Sequence, residues 1–418
     1  MGAASASPDA RHRAAVALAR VESGGAFAAR LLTSVTPFER ELVLGCLRWQ
    51  LTLDAVLRPL VRHPVEELDP SVRVLLRMGA FEALRMNTPR PVAVAEAVRV
   101  AKLLAPRASG LVNAVLRKVA TASWPAGPEL PLPLRYSHPP WLVERWVALL
   151  GREGAEAALA ADQEPAPLCL LAAASPLDEL AGSGCVLERH PAVPGVAVVR
   201  SGVEAAVRAL REGRAYAIDP VAVAVARLLP EVPGTILDLA AAPGGKSLVL
   251  ALERSDRRHI AADRHLGRVA LLRRTLRLAS RTPQVVAADA ARMPLREQSC
   301  TAVLLDAPCS GSGTLRRHPE IRWRLQPDDL SRLAERQRRM IEAAARLVAP
   351  GGWLLYATCS LEPEENGEVV AGLSWEAVSP SSRLPAGLPR VTLATGGVVV
   401  PPSSLGDGFT VHLLRRGS

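Results

Sequence analysis

Two cysteines stand in matching surroundings. Cys309 lies in Asp306-Ala307-Pro308-Cys309-Ser310-Gly311 and Cys359 in Tyr356-Ala357-Thr358-Cys359-Ser360, at the ends of the apolar runs CTAVLLDAP and GWLLYATCS. Short apolar runs bounded by loop residues read as buried strands. In an open α/β sheet, ligands collect beyond the carboxyl ends of the strands, so both thiols are expected in one cleft. A cysteine is ordinarily a small buried hydrophobe, which suffices for Cys46, Cys169, Cys185 and Cys300. A thiolate has a specific use where carbon 5 of a pyrimidine must become nucleophilic. Its addition to carbon 6 makes carbon 5 enamine-like and able to take up a methyl group, and such covalent catalysis splits one hard step into easier ones. The adduct then needs a base to remove the carbon 5 proton. Asp306 is expected at the base edge, engaging N3 and the exocyclic amine so that attack at carbon 6 is favoured. The residues themselves do not rank the two thiols.

A second constellation lies upstream. The run TILDLA, ending at Ala240, leads into Ala241-Ala242-Pro243-Gly244-Gly245-Lys246 and then the helical stretch SLVLALE. A glycine-rich strand-to-helix turn lets a ligand approach the backbone, and the helix start offers free amides. The spacing is neither the dinucleotide GxGxxG nor a P-loop. Next, RHIAADR carries Asp263, suited to a ribose diol, and PQVVAADA carries Asp289, within reach of an adenine amino group. Turn and acids together point to a nucleoside cofactor without a pyrophosphate, such as S-adenosylmethionine. Lys246 is one of only three lysines, with Lys102 and Lys118, and its retention in the turn suggests a role near the cofactor carboxylate.

These residues need a frame. From Gly234 onward apolar strands alternate with helical stretches such as HLGRVALLRRTLRLA, the signature of a doubly wound, mainly parallel sheet. Residues 9–120 instead repeat apolar positions at three and four, with a capping box at Thr36-Pro37-Phe38-Glu39 and a cap-proline start at Asp69-Pro70, and so read as a helical bundle. A proline-rich linker covers 121–135. Residues 136–234 mix the helical stretches WLVERWVALLG and EGAEAALAA with short strands. The expected architecture is multidomain: an all-α bundle at 1–125, a linker and small α+β subdomain at 126–233, and a Rossmann-like α/β catalytic domain at 234–418.

The stretches LDLAAAPGGKS, LLDAPCSGSGTLRRHPEIRWR and YATCSLEPEENGEVV resemble the signatures of the NOL1/NOP2/Sun family of RNA cytosine-5 methyltransferases, and the helical region resembles a NusB-like RNA-binding domain. The resemblance spans nearly the whole chain. It implies that Ala240, Ala241, Ala242, Pro243, Gly244, Gly245 and Lys246 line an S-adenosylmethionine site, with Asp263 at the ribose, Asp289 near the adenine and Asp306 between cofactor and cytosine. It also implies that Cys359 is the nucleophile and Cys309 serves release of the product. The implied substrate is small-subunit ribosomal RNA. Two departures stand out: Ile218-Asp219 where relatives often carry Gln-Asp, and LCLLAAASP (168–176) where they tend to show an Arg-x-Asn strand.

Composition is consistent with a nucleic-acid partner. The 418 residues carry a formal charge of +10, almost entirely as arginine, the side chain that holds phosphate bidentately and stacks on bases. Genomic base composition accounts equally for arginine replacing lysine, but not for the positive balance. The charge is uneven: residues 1–150 hold 19 Lys/Arg against 12 Asp/Glu, the middle region is net acidic, and residues 254–339 hold 19 arginines against 9 acids. Arg316, Arg317, His318, Arg322 and Arg324, clustered after Cys309 with Trp323, are the expected RNA contacts. The helical RLAERQRR reads instead as a solvated face. The target cytosine must be unpaired or flipped.

No apolar run reaches membrane-spanning length, arginines interrupt the N-terminal stretch, and six dispersed cysteines without a CxxC pair fit neither a disulfide scaffold nor a zinc site. A cytoplasmic, metal-free monomer is expected. Two other readings stand beside the leading one: a transfer-RNA methyltransferase of the same chemistry, and a catalytically silent ribosome-assembly factor working through its helical bundle. Intact thiols, Asp306 and glycine turn weigh against silence. An adenine amino-methyltransferase is disfavoured because DAPC stands where such enzymes carry a [DNS]PP[YFW]-like strand end.

Overall fold

The computed structural model describes residues 8–33, 35–172, 177–182 and 184–417. It divides into two compact units. One comprises the chain up to Glu164 together with Leu315–Arg324; the other comprises Pro165–Thr314 and the chain from Leu325 onward. The expected middle domain at 126–233 is therefore split at Glu164. Residues 173–176, part of the LCLLAAASP departure, lie outside the described residues.

The first unit is helical. Its main helices are Pro8–Gly24, Pro37–Arg48, Gln50–Leu57, Pro70–Arg85, Arg90–Leu104, Ser109–Val119 and Pro140–Ala161. Their starts follow the sequence cues. Thr36 Oγ1 accepts from the Glu39 amide, and Glu39 Oε2 accepts in return from the Thr36 amide. Asp69 Oδ1 accepts from the Ser71 amide at 2.8 Å. The buried spacing then builds one core from Leu42, Leu53, Leu75, Met78 and Leu116. The helix Pro140–Ala161 is interrupted at Gly151 (φ 72°, ψ 168°), where the sequence reads as two helical stretches.

The second unit carries two sheets. The small one is antiparallel, ordered β2-β3-β1-β4, with β1 Cys169–Ala172, β2 Val186–Arg189, β3 Val196–Ser201 and β4 Ala215–Ala217. It shares a hydrophobic core with the helix Pro220–Arg227 and the large sheet through Leu171, Val198, Val223, Ile236 and Leu304. The large sheet contains the five expected strands, β5 Thr235–Leu239, β6 Arg258–Asp263, β7 Gln284–Ala287, β8 Cys300–Asp306 and β9 Val348–Thr358. All five are parallel and stand in the order β7-β6-β5-β8-β9. This is the doubly wound arrangement, with its order reversing between β5 and β8. Four further strands, β10 Glu376–Val378, β11 Val391–Thr392, β12 Val398–Val400 and β13 Phe409–Arg415, extend it; β13 pairs antiparallel with β9. Sequence reading did not single out this addition.

Among the described residues no helix is long and apolar enough to cross a membrane, no cluster of His, Cys, Asp and Glu could hold a metal, and all six cysteines are free.

Candidate active site

The reversal point brings the strand ends together. Leu239 pairs with Leu305 across β5 and β8, and Asp306 with Ala357 across β8 and β9. Beyond β5 the backbone turns through Ala240 (φ 57°) and Gly244 (φ 111°) into the helix Gly245–Glu253. Gly244 is required twice over. Its φ disfavours a side chain, and a Cβ there would come within 3.0 Å of Leu272 and Thr275. Asp263 ends β6 almost wholly buried, accepting from the His265 amide at 3.0 Å with Arg268 Nε at 3.3 Å. Asp289 accepts from the Ala291 amide, with Arg264 at 3.6 Å. Both acids, with Ala240, Pro308 and Met340, line a cavity of about 170 Å3.

A second cavity, about 220 Å3, opens on the other side of the turn and is lined by Asp238, Pro243, Gly245, Lys246 and Asp306, with Tyr216, Ile218 and Asp219. Lys246 Nζ donates to Asp306 Oδ2 at 2.8 Å and lies 4.7 Å from the Phe409 ring centroid. Its partner is thus a carboxylate of the chain itself, and β13 supplies the aromatic face. Burial pulls the Lys246 ammonium down, but the Asp306 charge and hydrogen bond outweigh it and the net shift is upward. Asp238 is fully buried. Ser247 Oγ donates to its Oδ2 at 2.5 Å, while Oδ1 has no partner. Burial pushes its pKa up to about 7, against the Ser247 hydrogen bond. Where relatives often carry Gln-Asp, Ile218 packs against Gly245, and Asp219 caps the helix Pro220–Arg227 and accepts from the Asp407 amide.

Both thiols are half-buried, and Cys309 Sγ lies 3.3 Å from Cys359 Sγ. The hydrogen bond to Cys359, reinforced by burial, raises the Cys309 pKa well above the ordinary thiol value. The surroundings of Cys309 thus oppose its ionisation.

Glu365, which sequence reasoning missed, ties the two thiol loops together. It is 0% exposed and accepts from the Ser310 amide at 2.8 Å, from Ser310 Oγ and Ser360 Oγ at 2.5 Å each, and from Gln337 Nε2 at 2.9 Å. Gln337 also donates to the Pro308 carbonyl. Asn366 donates to the Ser360 and Glu362 carbonyls and accepts from Thr358 Oγ1. Gly313 allows a further close approach: a Cβ there would meet the Gly408 carbonyl at 2.3 Å. In sequence, Glu365 lies within YATCSLEPEENGEVV, but nothing there singles it out from its acidic neighbours.

The expected RNA contacts fare differently. Arg322 is 1% exposed and donates to the carbonyls of Arg48, Ser137, Asp162 and Leu315. Arg324 donates to the carbonyls of Val21, Gly25 and Ala26, and Trp323 Nε1 to that of Leu47. Arg316 is also buried, and Arg317 and His318 are half-buried. The assignment of Arg322 to RNA is corrected: its guanidinium is buried among carbonyls of the helical unit, and Arg324, half-buried, is taken up by three further carbonyls there.

Residues 225–411 match the family model described as 16S rRNA methyltransferase RsmB/F, and residues 8–121 match that of the NusB family. The probable ribosomal RNA small subunit methyltransferase B of Bacillus subtilis is 30% identical over 96% of this chain and 97% of its own length. Ribosomal RNA small subunit methyltransferase B of Thermus thermophilus is 36% identical over 90% of this chain and 87% of its own. Among solved structures, PH0851 aligns with a TM-score of 0.79 at 25% identity, covering 99% of this chain and 100% of that one. The fold is shared as well with NSun6 from Pyrococcus horikoshii with SFG, at a TM-score of 0.58 and 20% identity over 67% of this chain and 98% of that one.

Proposed function

Since the chain belongs to the ribosomal RNA small subunit methyltransferase B family, we propose that it methylates carbon 5 of a cytosine in 16S ribosomal RNA through a covalent cysteine adduct. The observation that carries this reading is the 3.3 Å pair of thiols beside the Asp306–Lys246 pair.

The cofactor of this reading is S-adenosylmethionine. The residues present suit it: Asp263 for the ribose, Asp289 for the adenine, and the orphaned Asp238 Oδ1 as acceptor for an ammonium group. When bound, it supplies the sulfonium methyl group that an activated carbon 5 takes up. The protein's work is on the cytosine. Cys359 adds to carbon 6. Asp306, with one oxygen fixed by Lys246, turns the other toward N3 and the exocyclic amine. Holding that geometry before the reaction is what lowers the barrier. Cys309, whose ionisation its surroundings oppose, we assign to product release.

Cys359→Ala should abolish methylation and leave cofactor binding intact; retained turnover would refute the nucleophile. Cys309→Ala should accumulate a denaturation-resistant protein–RNA adduct on gels. Bisulfite sequencing of ribosomal and transfer RNA from a deletion strain decides the substrate: loss of one small-subunit site is expected, and loss confined to transfer RNA would overturn it.

A further inference from the structure

Arg322 is buried among carbonyls of the helical unit and Arg324 donates to three more, so the solvent-facing positive charge of residues 254–339 lies largely elsewhere. Between Asp263 and Asp289 the sequence holds six arginines and no acid. The helix Leu266–Leu276 buries Val269, Leu272, Thr275 and Leu276. Spacings of three and four then turn Ala270, Arg273, Arg274 and Arg277 outward, and all four are exposed. Arg264 and Arg268, at the start of this segment, are engaged with Asp289 and Asp263. Arg273, Arg274 and Arg277 face no acid on their own element.

Four residues past Arg277, Arg281 lines a cavity of about 160 Å3 between the end of the helix Gly245–Glu253, the start of β6 and the loop entering β7. Its other cationic walls are Arg254, Arg257 and Arg258. Arg254 is held by the carbonyls of Leu229 and Pro230, Arg257 by Asp256, and Arg281 gives one N–H to the Ser255 carbonyl. Arg258 is exposed. His259, on the same wall, is 7% exposed, and neither ring nitrogen has a partner. Burial, with Arg254 second, lowers its pKa to about 4, so the ring is neutral and has one N–H to give. The lining of this pocket holds four arginines and His259 and no carboxylate. An anion bearing several oxygens completes it.

We infer that this pocket seats a backbone phosphate of the RNA, and that the arginine face of the helix Leu266–Leu276 carries the adjoining backbone. β6 links the two ends of the track: Arg258 opens the strand in this pocket and Asp263 closes it in the cofactor cleft, about 17 Å away at the rise of a strand. The inference rests on RNA being the substrate and adds where its backbone runs.

The test uses the full-length protein and an unmethylated 16S rRNA fragment, with affinity measured across a salt series. Arg258→Gln with Arg281→Gln, and separately Arg273→Gln with Arg274→Gln and Arg277→Gln, should each weaken binding severalfold. Each phosphate that is no longer neutralised should flatten the slope of log K against log salt by about 0.7–0.9. Cofactor affinity by calorimetry should stay as in the unmodified protein, and lysine at the same positions should restore most of the slope. Slopes and affinities equal to the unmodified protein would overturn the inference and leave these arginines a solvated face. Failure of the unmodified protein to bind or methylate the fragment would sink the substrate reading instead.

Discussion

Asp238 is caught between opposing pulls. Burial and the neighbouring Asp306 disfavour its charge, while Ser247 and Lys246 support it, and the outcome is a pKa of about 7. An unfolded aspartate titrates near 4, so the folded protein binds the extra proton between about pH 4 and 7. The stability this group contributes is complete below that window and is lost as pH rises through it. Asp238→Asn should flatten the dependence of unfolding free energy on pH there, where the limiting slope is about 1.4 kcal/mol per pH unit; chemical denaturation across the window reads this directly. His138 in the helical unit works the other way. Burial, then Arg322, lowers its pKa to about 4, so its contribution is present above the ordinary histidine range and is lost on acidification through the folded pKa. Arg322 itself supports carbonyls that water does not reach. Arg322→Gln should therefore destabilise the protein by roughly 3 kcal/mol, where a surface RNA contact would leave the melting curve unmoved.

The two thiol loops owe their spacing to a carboxylate that neither contains. Glu365→Gln keeps the shape but surrenders the charge-assisted bonds from Ser310 and Ser360. Turnover should fall at least about tenfold while calorimetric cofactor affinity holds, because the acids proposed for the cofactor, Asp263 and Asp289, stand on β6 and after β7. Gly244→Ala should do the reverse, straining the turn by about 1–3 kcal/mol and weakening cofactor binding first. What was legible at this scale follows from physics that is local in sequence. Strands buried on both faces read as apolar runs, and the acids and cysteines at their ends stood out for that reason. Glu365 was illegible because a charged loop residue looks solvated until its four donors, up to 55 residues away, are known. Arg316–Arg324 misled for the same reason: what buries Arg322 is a set of carbonyls as far as 274 residues upstream. Of the C-terminal strands β10, β11 and β12 are only two or three residues long and carried too weak a pattern, although β13 brings Phe409 to Lys246.

At the scale of the molecule, the chain leaves the catalytic unit after Thr314, contributes ten residues to the helical unit, and returns at Leu325. Those ten residues include Arg322, Trp323 and Arg324, which satisfy backbone groups between Val21 and Asp162. A fragment ending at Glu164 should therefore melt at lower temperature than the same fragment with a peptide of residues 315–324 added, as thermal unfolding followed by circular dichroism would read. Addition of the peptide without effect would mean that the first unit is complete by itself. Threading also sets a timetable. Synthesis proceeds from the amino terminus, and domains made first ordinarily fold first. Here the earliest helices emerge from the ribosome long before Arg322 is translated, so the first unit begun is among the last finished. The nascent chain must carry an unsealed helical assembly through the making of β5 to β8 and the first thiol loop.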